Sequence, residues 1–451
     1  MGEWAGKIAE LEDSKLAEVC PFRGIRYNQR VVKDLGRIIC PPYDVIAAEQ
    51  QKIRYERDDH NAIRLEYPME QPGDNAKSNR YTRAATTFWR WLEDRVLQVD
   101  DHLTLYVHDH YFVLRGEGRR RRGLIARVRL EPWYRGIYPH EETYSKAKSD
   151  RLQLMRACHA SFSSILALYQ DSTRGVAEVT SKVVQDKPII ECHCEQSEAI
   201  SLSESHLIWA ITELGLVRQI TELLADAPLY IADGHHRYET ALAYQEERMR
   251  EVATFTGNEG FNHIMMELVD FNDAGITILP IHRLLRGAAT SSLAELRSEL
   301  ERIFAVESIP LSEGLIGNLK GKMPGGAVLG ILGLERESLL ILRQRQDISV
   351  EEMMPDNRSQ AYKNFDLSIL SHLILDKMLG FAESKGDIAY TVDINEAWQA
   401  IGEGEYQLAF LLNEPRVDVI KAIADAKDRM PRKSTYFYPK LPAGLIINSL
   451  D

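Results

Sequence analysis

Asp233-Gly234-His235-His236-Arg237 places a carboxylate, a glycine, two imidazoles and a guanidinium in consecutive positions. An apolar run, Pro228-Leu229-Tyr230-Ile231, precedes them, and a helical pattern begins at Tyr238. The spacing predicts a strand-to-helix turn. Such a turn presents backbone N–H groups at the positive end of a helix, where anions bind. Gly234 makes the tight turn, His235 and His236 follow it, and Arg237 offers bidentate contact to a phosphate or carboxylate. Asp233 or a histidine is then a candidate general base, and Asp233 a candidate metal contact. The competing interpretation is an N-cap at Asp233 with the other side chains on a solvated first turn. A cap requires one polar residue, whereas four are present.

Other segments carry weaker patterns. His140, Glu141 and Thr143, with Asp150 and Arg151, form a polar cluster: a carboxylate there could deprotonate a hydroxyl, and His140 could assist or hold a phosphate. The alternative is a capped, exposed helix start. Cys40-Pro41-Pro42-Tyr43-Asp44 puts Asp44 on a rigid turn, at a cleft or at a structural corner. Arg432-Lys433-Ser434-Thr435 with Lys440 is a basic, hydroxyl-rich turn that either closes over a phosphate or lies on the surface. His108 and His110, two apart, share a strand face and are expected to be exposed or hydrogen-bonded. Arg119 to Arg122 reads as a solvated hairpin tip. Cys192-His193-Cys194 has no second ligand pair at finger spacing. Gly321-Lys322 lacks the flanking residues of a Walker loop, and no Gly-x-Gly-x-x-Gly follows a strand.

The elements that must position these residues form a mixed pattern. Helices are expected at 81–97, 207–224, 292–304, 365–379, 393–403 and 415–426. Strands are expected at 37–46, broken by the double proline, and at 103–114, 123–130, 162–169, 263–269, 275–281, 327–334, 338–343 and 406–412. The fold class is α+β (mixed α/β) and multi-domain, with an N-terminal region 1–105, a central domain 106–287 and a C-terminal region 288–451. The 451 residues carry a net charge of −12, which disfavours a nucleic-acid partner because phosphate neutralisation needs a basic surface. Five scattered cysteines suit a reducing compartment. Met1 to Lys7 lacks a basic start before an apolar core, so no signal peptide is expected, and no apolar run has the length of a membrane span. A cytoplasmic enzyme fits this balance.

Several of these segments together resemble a known family. Pro41-Pro42-Tyr43-Asp44-Val45, His140-Glu141 with Asp150-Arg151, Ala232 to Arg237, Leu279-Pro280-x-His282-Arg283 and Met430-Pro431-x-Lys433-Ser434-Thr435-Tyr436-Phe437-x-Pro439-Lys440 with Gly444-Leu445 match the domain of unknown function 1015. The Asp233-Gly234-His235-x-Arg237 pattern also resembles the phosphate-binding motif of the ParB/sulfiredoxin-like superfamily. That group includes CTP-binding partition proteins, sulfiredoxins and free-serine kinases that use ADP or ATP. The serine kinases have threonine where this chain has His236.

The resemblance implies a ParB/sulfiredoxin-like nucleotide-binding element in the central part. It also implies a nucleotide-dependent phosphotransferase, serine-kinase-like, acting on a small hydroxylated metabolite with ATP or ADP and Mg²⁺. The phosphate-binding set would be Gly234, His235, His236, Arg237, Lys433, Ser434, Thr435 and Lys440. Asp233, Glu141, His140 and Asp44 would supply catalysis, with Asp233 also the candidate Mg²⁺ contact. Two other functions stay open: a ParB-like nucleotide-binding regulator, and a phosphoester hydrolase.

Overall fold

Strands buried on both faces, as in the near-continuous apolar runs Ile165–Tyr169 and Leu229–Asp233, build the main element of the fold, a nine-stranded sheet. The computed structural model describes residues 16–143, 145–195, 203–252, 256–319, 327–381 and 387–451. Met1 to Lys7 and Gly321-Lys322 lie outside them. The chain divides into two units: one from Met1–Pro139, Thr143–Ile276 and Pro439–Asp451, the other from His140–Glu142 and Thr277–Tyr438. Mixed α/β structure is present in both.

The first unit holds β1 (Val19–Cys20), β2 (Leu105–Leu114), β3 (Glu117–Arg129), β4 (Ile137–Tyr138), β5 (Ile165–Tyr169), β6 (Ile190–Glu195), β7 (Ser203–Ile211), β8 (Leu229–Asp233) and β9 (His263–Asp270). Their order is β4-β8-β5-β9-β3-β2-β7-β6, with β1 also on β3. β4 runs parallel to β8 and β5 parallel to β9; the other pairs are antiparallel. One sheet face buries Leu105, Val107, Leu124, Ala126 and Trp209 in an apolar core. The other buries Tyr106, Ile125, Ile208 and Met265 against α1 (Arg80–Glu93) and α2 (Ser145–Cys158). Asn79 caps α1 by accepting from the amides of Tyr81 and Thr82.

Three sequence expectations change here. Residues 207–224 are not one helix: β7 ends at Ile211 and α3 (Leu214–Leu224) follows. Leu207, Trp209 and Ile211 alternate with Glu204, His206 and Ile208, and the strand period prevails because both faces are covered. Residues 37–46 do not form a broken strand. Cys40 makes a single bridge to Ala443, and Tyr43–Val45 is a short 3-10 turn, because Pro41 and Pro42 have no N–H for a ladder. The arginine run 119–122 lies within β3, and the tip is Arg115-Gly116, both at positive φ.

The second unit is built on a six-stranded antiparallel sheet. Besides the short β10 (Thr277–Leu279) it has β11 (His282–Arg286), β12 (Phe304–Pro310), β13 (Ala327–Leu332), β14 (Ser338–Gln344), β15 (Asp387–Thr391) and β16 (Leu408–Leu412), ordered β12-β14-β13-β16-β11-β15. Leu332, Leu339, Ile341 and Leu411 pack with Ala397 of an amphipathic helix, Ile394–Gly402, in its core. β10 pairs with β17 (Tyr436–Tyr438). No helix of the described residues is long and apolar enough to cross a membrane.

Candidate functional site

β8 ends at Asp233, Gly234 turns the chain, and α4 (His235–Glu251) begins at once. Gly234 sits at φ +98°, in the left-handed region that favours glycine. A side chain there would also meet the Arg237 guanidinium at about 3.0 Å. The first intrahelical bond runs from Tyr238 N–H to the Gly234 carbonyl, so earlier amides belong to the set that a helix start directs elsewhere. Asp233 Oδ2 accepts from Arg237 Nη2 at 2.8 Å, and Asp233 Oδ1 is paired with Lys440 Nζ. Burial alone would raise the Asp233 carboxyl. Lys440 and Arg237 more than offset that and hold it far below the usual carboxylate range. Asp233 is therefore an ionised anchor for two cations and a poor proton acceptor at neutral pH.

Arg237 extends the network inward. Its Nη1 donates to the Ser164 carbonyl at 2.5 Å and to Ser163 Oγ at 3.1 Å. Ser163 Oγ donates to Glu66 Oε1, which also accepts from the Tyr43 amide at 3.3 Å. Arg151 donates to the Glu66 carbonyl and lies 4.0 Å over the Tyr43 ring. Asp150 holds Arg151 through two bonds and accepts from Arg80 and the Tyr81 hydroxyl. The Pro41-Pro42-Tyr43-Asp44 turn and the Asp150-Arg151 pair thus join the Gly234 turn in one network. Asp44 stands at its margin with its side chain exposed.

His140, Glu141, Lys433, Ser434 and Thr435 belong to the second unit. His140 is buried, with Nε2 2.9 Å from Thr435 Oγ1, and its carbonyl accepts from the Met430 amide. Glu141 Oε1 accepts from the Lys433 amide at 2.5 Å, where Lys433 takes a left-handed φ of +55°. Ser434 Oγ donates to the Pro431 carbonyl. The two segments, nearly 300 positions apart in the chain, fold onto each other, and Arg283 supports them from β11 by donating to the Arg432 carbonyl.

A further cluster in the first unit was not combined from the sequence. His108 and His110 of β2, Arg121 of β3, Glu204 and His206 of β7 and Glu267 of β9 share one face of the nine-stranded sheet and are all buried. His108 Nδ1 is 2.8 Å from Glu267 Oε2, and His108 Nε2 is 3.1 Å from His206 Nδ1. His110 Nε2 is 2.9 Å from Glu204 Oε2. Arg121 Nη2 reaches His110 Nδ1 at 3.3 Å and the Pro439 carbonyl at 3.1 Å. Burial holds His110 and His206 well below the usual histidine range, so both are neutral, and nearby Arg121 acts in the same direction. Arg121 is thus a buried cation, contrary to the expected solvated tip. The legible signal was the period-two spacing of His108-x-His110, Glu204-x-His206 and Arg119-x-Arg121.

Comparison with known proteins gives a family and distant structural likenesses. A family model described as "Protein of unknown function (DUF1015)" matches residues 19–367. No curated protein matches the chain. Among solved structures, the chain is similar to a free serine kinase in complex with AMP, at 12% identity and a TM-score of 0.33, covering 67% of this chain and 83% of that one. A conserved hypothetical protein from Pyrococcus furiosus matches at 12% identity and a TM-score of 0.33, covering 69% and 92%. SbnI from Staphylococcus aureus, truncated at its C-terminus, matches at 9% and 0.33, covering 70% and 84%.

Proposed function

We propose, for a chain that belongs to the DUF1015 family, that the Gly234 turn binds the phosphates of ATP or ADP and that the protein phosphorylates a small hydroxylated metabolite. The observation that carries this is the turn itself: a strand end, a left-handed glycine and a 17-residue helix, with Arg237 and Lys440 gathered beside it. One carboxylate against two cations leaves a formal excess of positive charge where the helix dipole also favours an anion. The β8–α4 segment is the ParB/sulfiredoxin-like element of this proposal. The amides of His235 and His236 would cradle the phosphates, with Arg237 and Lys440 held in place by Asp233.

Phosphoryl transfer needs charge neutralisation and an aligned hydroxyl more than covalent chemistry. Asp44, exposed on a proline-fixed turn in the same unit, is the proposed acceptor of the hydroxyl proton. Mg²⁺ would travel with the nucleotide, because both oxygens of Asp233 face cations and suit a metal poorly. A second reading, a regulator that binds nucleotide without transfer, rests on the same turn, where Asp233 is committed to Arg237 and Lys440 and only the phosphate cradle is needed. Thermal shift with ATP and ADP, followed by ³¹P NMR with hydroxylated amino acids and sugars, tests both. Acceptor-dependent phosphorylation is the expected result. Binding without transfer selects the regulator, and absence of any nucleotide-dependent shift overturns the phosphate site.

A further inference from the structure

Burying three imidazoles, two carboxylates and a guanidinium in one layer of a sheet carries a large desolvation cost, which an apolar face would avoid. We infer that His110, Glu204 and His206 form a binding site for a divalent transition-metal ion of the zinc class. One ligand atom from each lies within 4.8 Å of the other two. Two imidazoles and a carboxylate are a donor set that zinc accepts at about 2.0–2.2 Å, which places tetrahedral ligand atoms about 3.3–3.6 Å apart, so the three atoms need to close by at most about 1.5 Å.

The surrounding bonds prepare His206 for this role. Glu267 Oε2 accepts a hydrogen bond from His108 Nδ1–H, and in the ring that carries this one proton His108 Nε2 is an acceptor. His108 Nε2 then accepts from His206 Nδ1–H, so the His206 Nε2 lone pair is available to a metal. This is the carboxylate–histidine support that orients metal-binding imidazoles, here with a second imidazole interposed. His110 requires one exchange. Its Nε2 proton, now directed to Glu204, must move to Nδ1 for an ion to take Nε2; Nδ1 then no longer accepts from Arg121, which has to turn away from that N–H and keep only its bond to the Pro439 carbonyl. Formal charge agrees: Glu204 and Glu267 outnumber Arg121 by one. Glu267 Oε1, buried and with no hydrogen-bond partner among the described residues, adds to the negative potential.

The three ligands are at most 5% exposed, so the ion would enter as the chain folds. The test unfolds the full chain in chelator and refolds it with or without zinc alone, followed by dialysis and elemental analysis. About one zinc per chain should be retained, with a raised Tm. His206→Gln and His110→Gln should lose it, while His193→Gln, on the exposed side of β6, should keep it. X-ray absorption of the zinc-loaded wild-type chain guards against variants that do not fold: the expected shell holds imidazole nitrogen and carboxylate oxygen. Failure to retain zinc, retention by the folded His206→Gln variant, or a sulfur shell from Cys192 and Cys194 would each overturn the site.

Discussion

The Gly234 turn, partly buried, and the histidine layer, fully buried, belong to the same unit, yet their charge balance has opposite sign. At the turn, Arg237 and Lys440 face one carboxylate, Asp233. In the layer, Glu204 and Glu267 face one guanidinium, Arg121, among three imidazoles. The first arrangement attracts an anion and the second a cation. Arg121 also links them, since it donates to the carbonyl of Pro439, next to Lys440 in the chain. Neither balance follows from the net charge of −12, because local fields depend on which groups are brought together.

The contrast can be broken most strongly at Arg121. Arg121→Leu leaves two buried carboxylates without that cation and should cost about 3–5 kcal/mol of stability, read by urea unfolding. Asp233→Asn should come next, at about 2–4 kcal/mol near pH 7, since Arg237 and Lys440 lose their shared carboxylate. Its pH dependence has a definite sign. The folded Asp233 carboxyl titrates below its unfolded value of about 3.9, so its contribution is fully present above that pH and is lost as the pH falls through the folded value. Wild type and Asp233→Asn should therefore converge in stability on acidification, and a constant gap would remove the ion pair from the account.

Smaller effects sharpen the comparison at the two glycines. Gly234→Ala forces a side chain into a left-handed turn beside Arg237 and should cost about 1–3 kcal/mol. Gly123→Ala places a Cβ within 2.4 Å of the Glu267 side chain and should cost a similar amount by overpacking. Only Gly234→Ala should also weaken nucleotide binding by calorimetry. Asp44→Asn should change stability by less than about 0.5 kcal/mol, because the side chain is exposed, while abolishing any transfer activity.

The Gly234 turn was legible because its residues are consecutive and a glycine between a strand and a helix has few conformational options. Mixed α/β structure and the helix of residues 80–93 were legible from periodicity. The histidine layer was not, because no pair of its residues shows the whole pattern. His108-x-His110 is ordinary until Glu204-x-His206 pairs beside it in register, and the second half of β7, from Leu207 to Ile211, falls at the start of an expected helix. Lys440 was grouped with the phosphate-binding residues, but its partner Asp233 lies 207 positions earlier.

By itself, the sequence determined the local conformations that sterics and hydrogen-bonding capacity leave without alternatives: the Gly234 turn, the proline-fixed corner before Asp44 and the amphipathic strands and helices. Tertiary structure alone decided which charges meet. Strand order set His108, His110, Arg121, Glu204, His206 and Glu267 on one face, and the return of the C-terminal segment brought Lys440 to Asp233. The physical reason is range. Backbone preferences act over a few residues, whereas burial makes ionisation depend on neighbours that only the folded chain supplies.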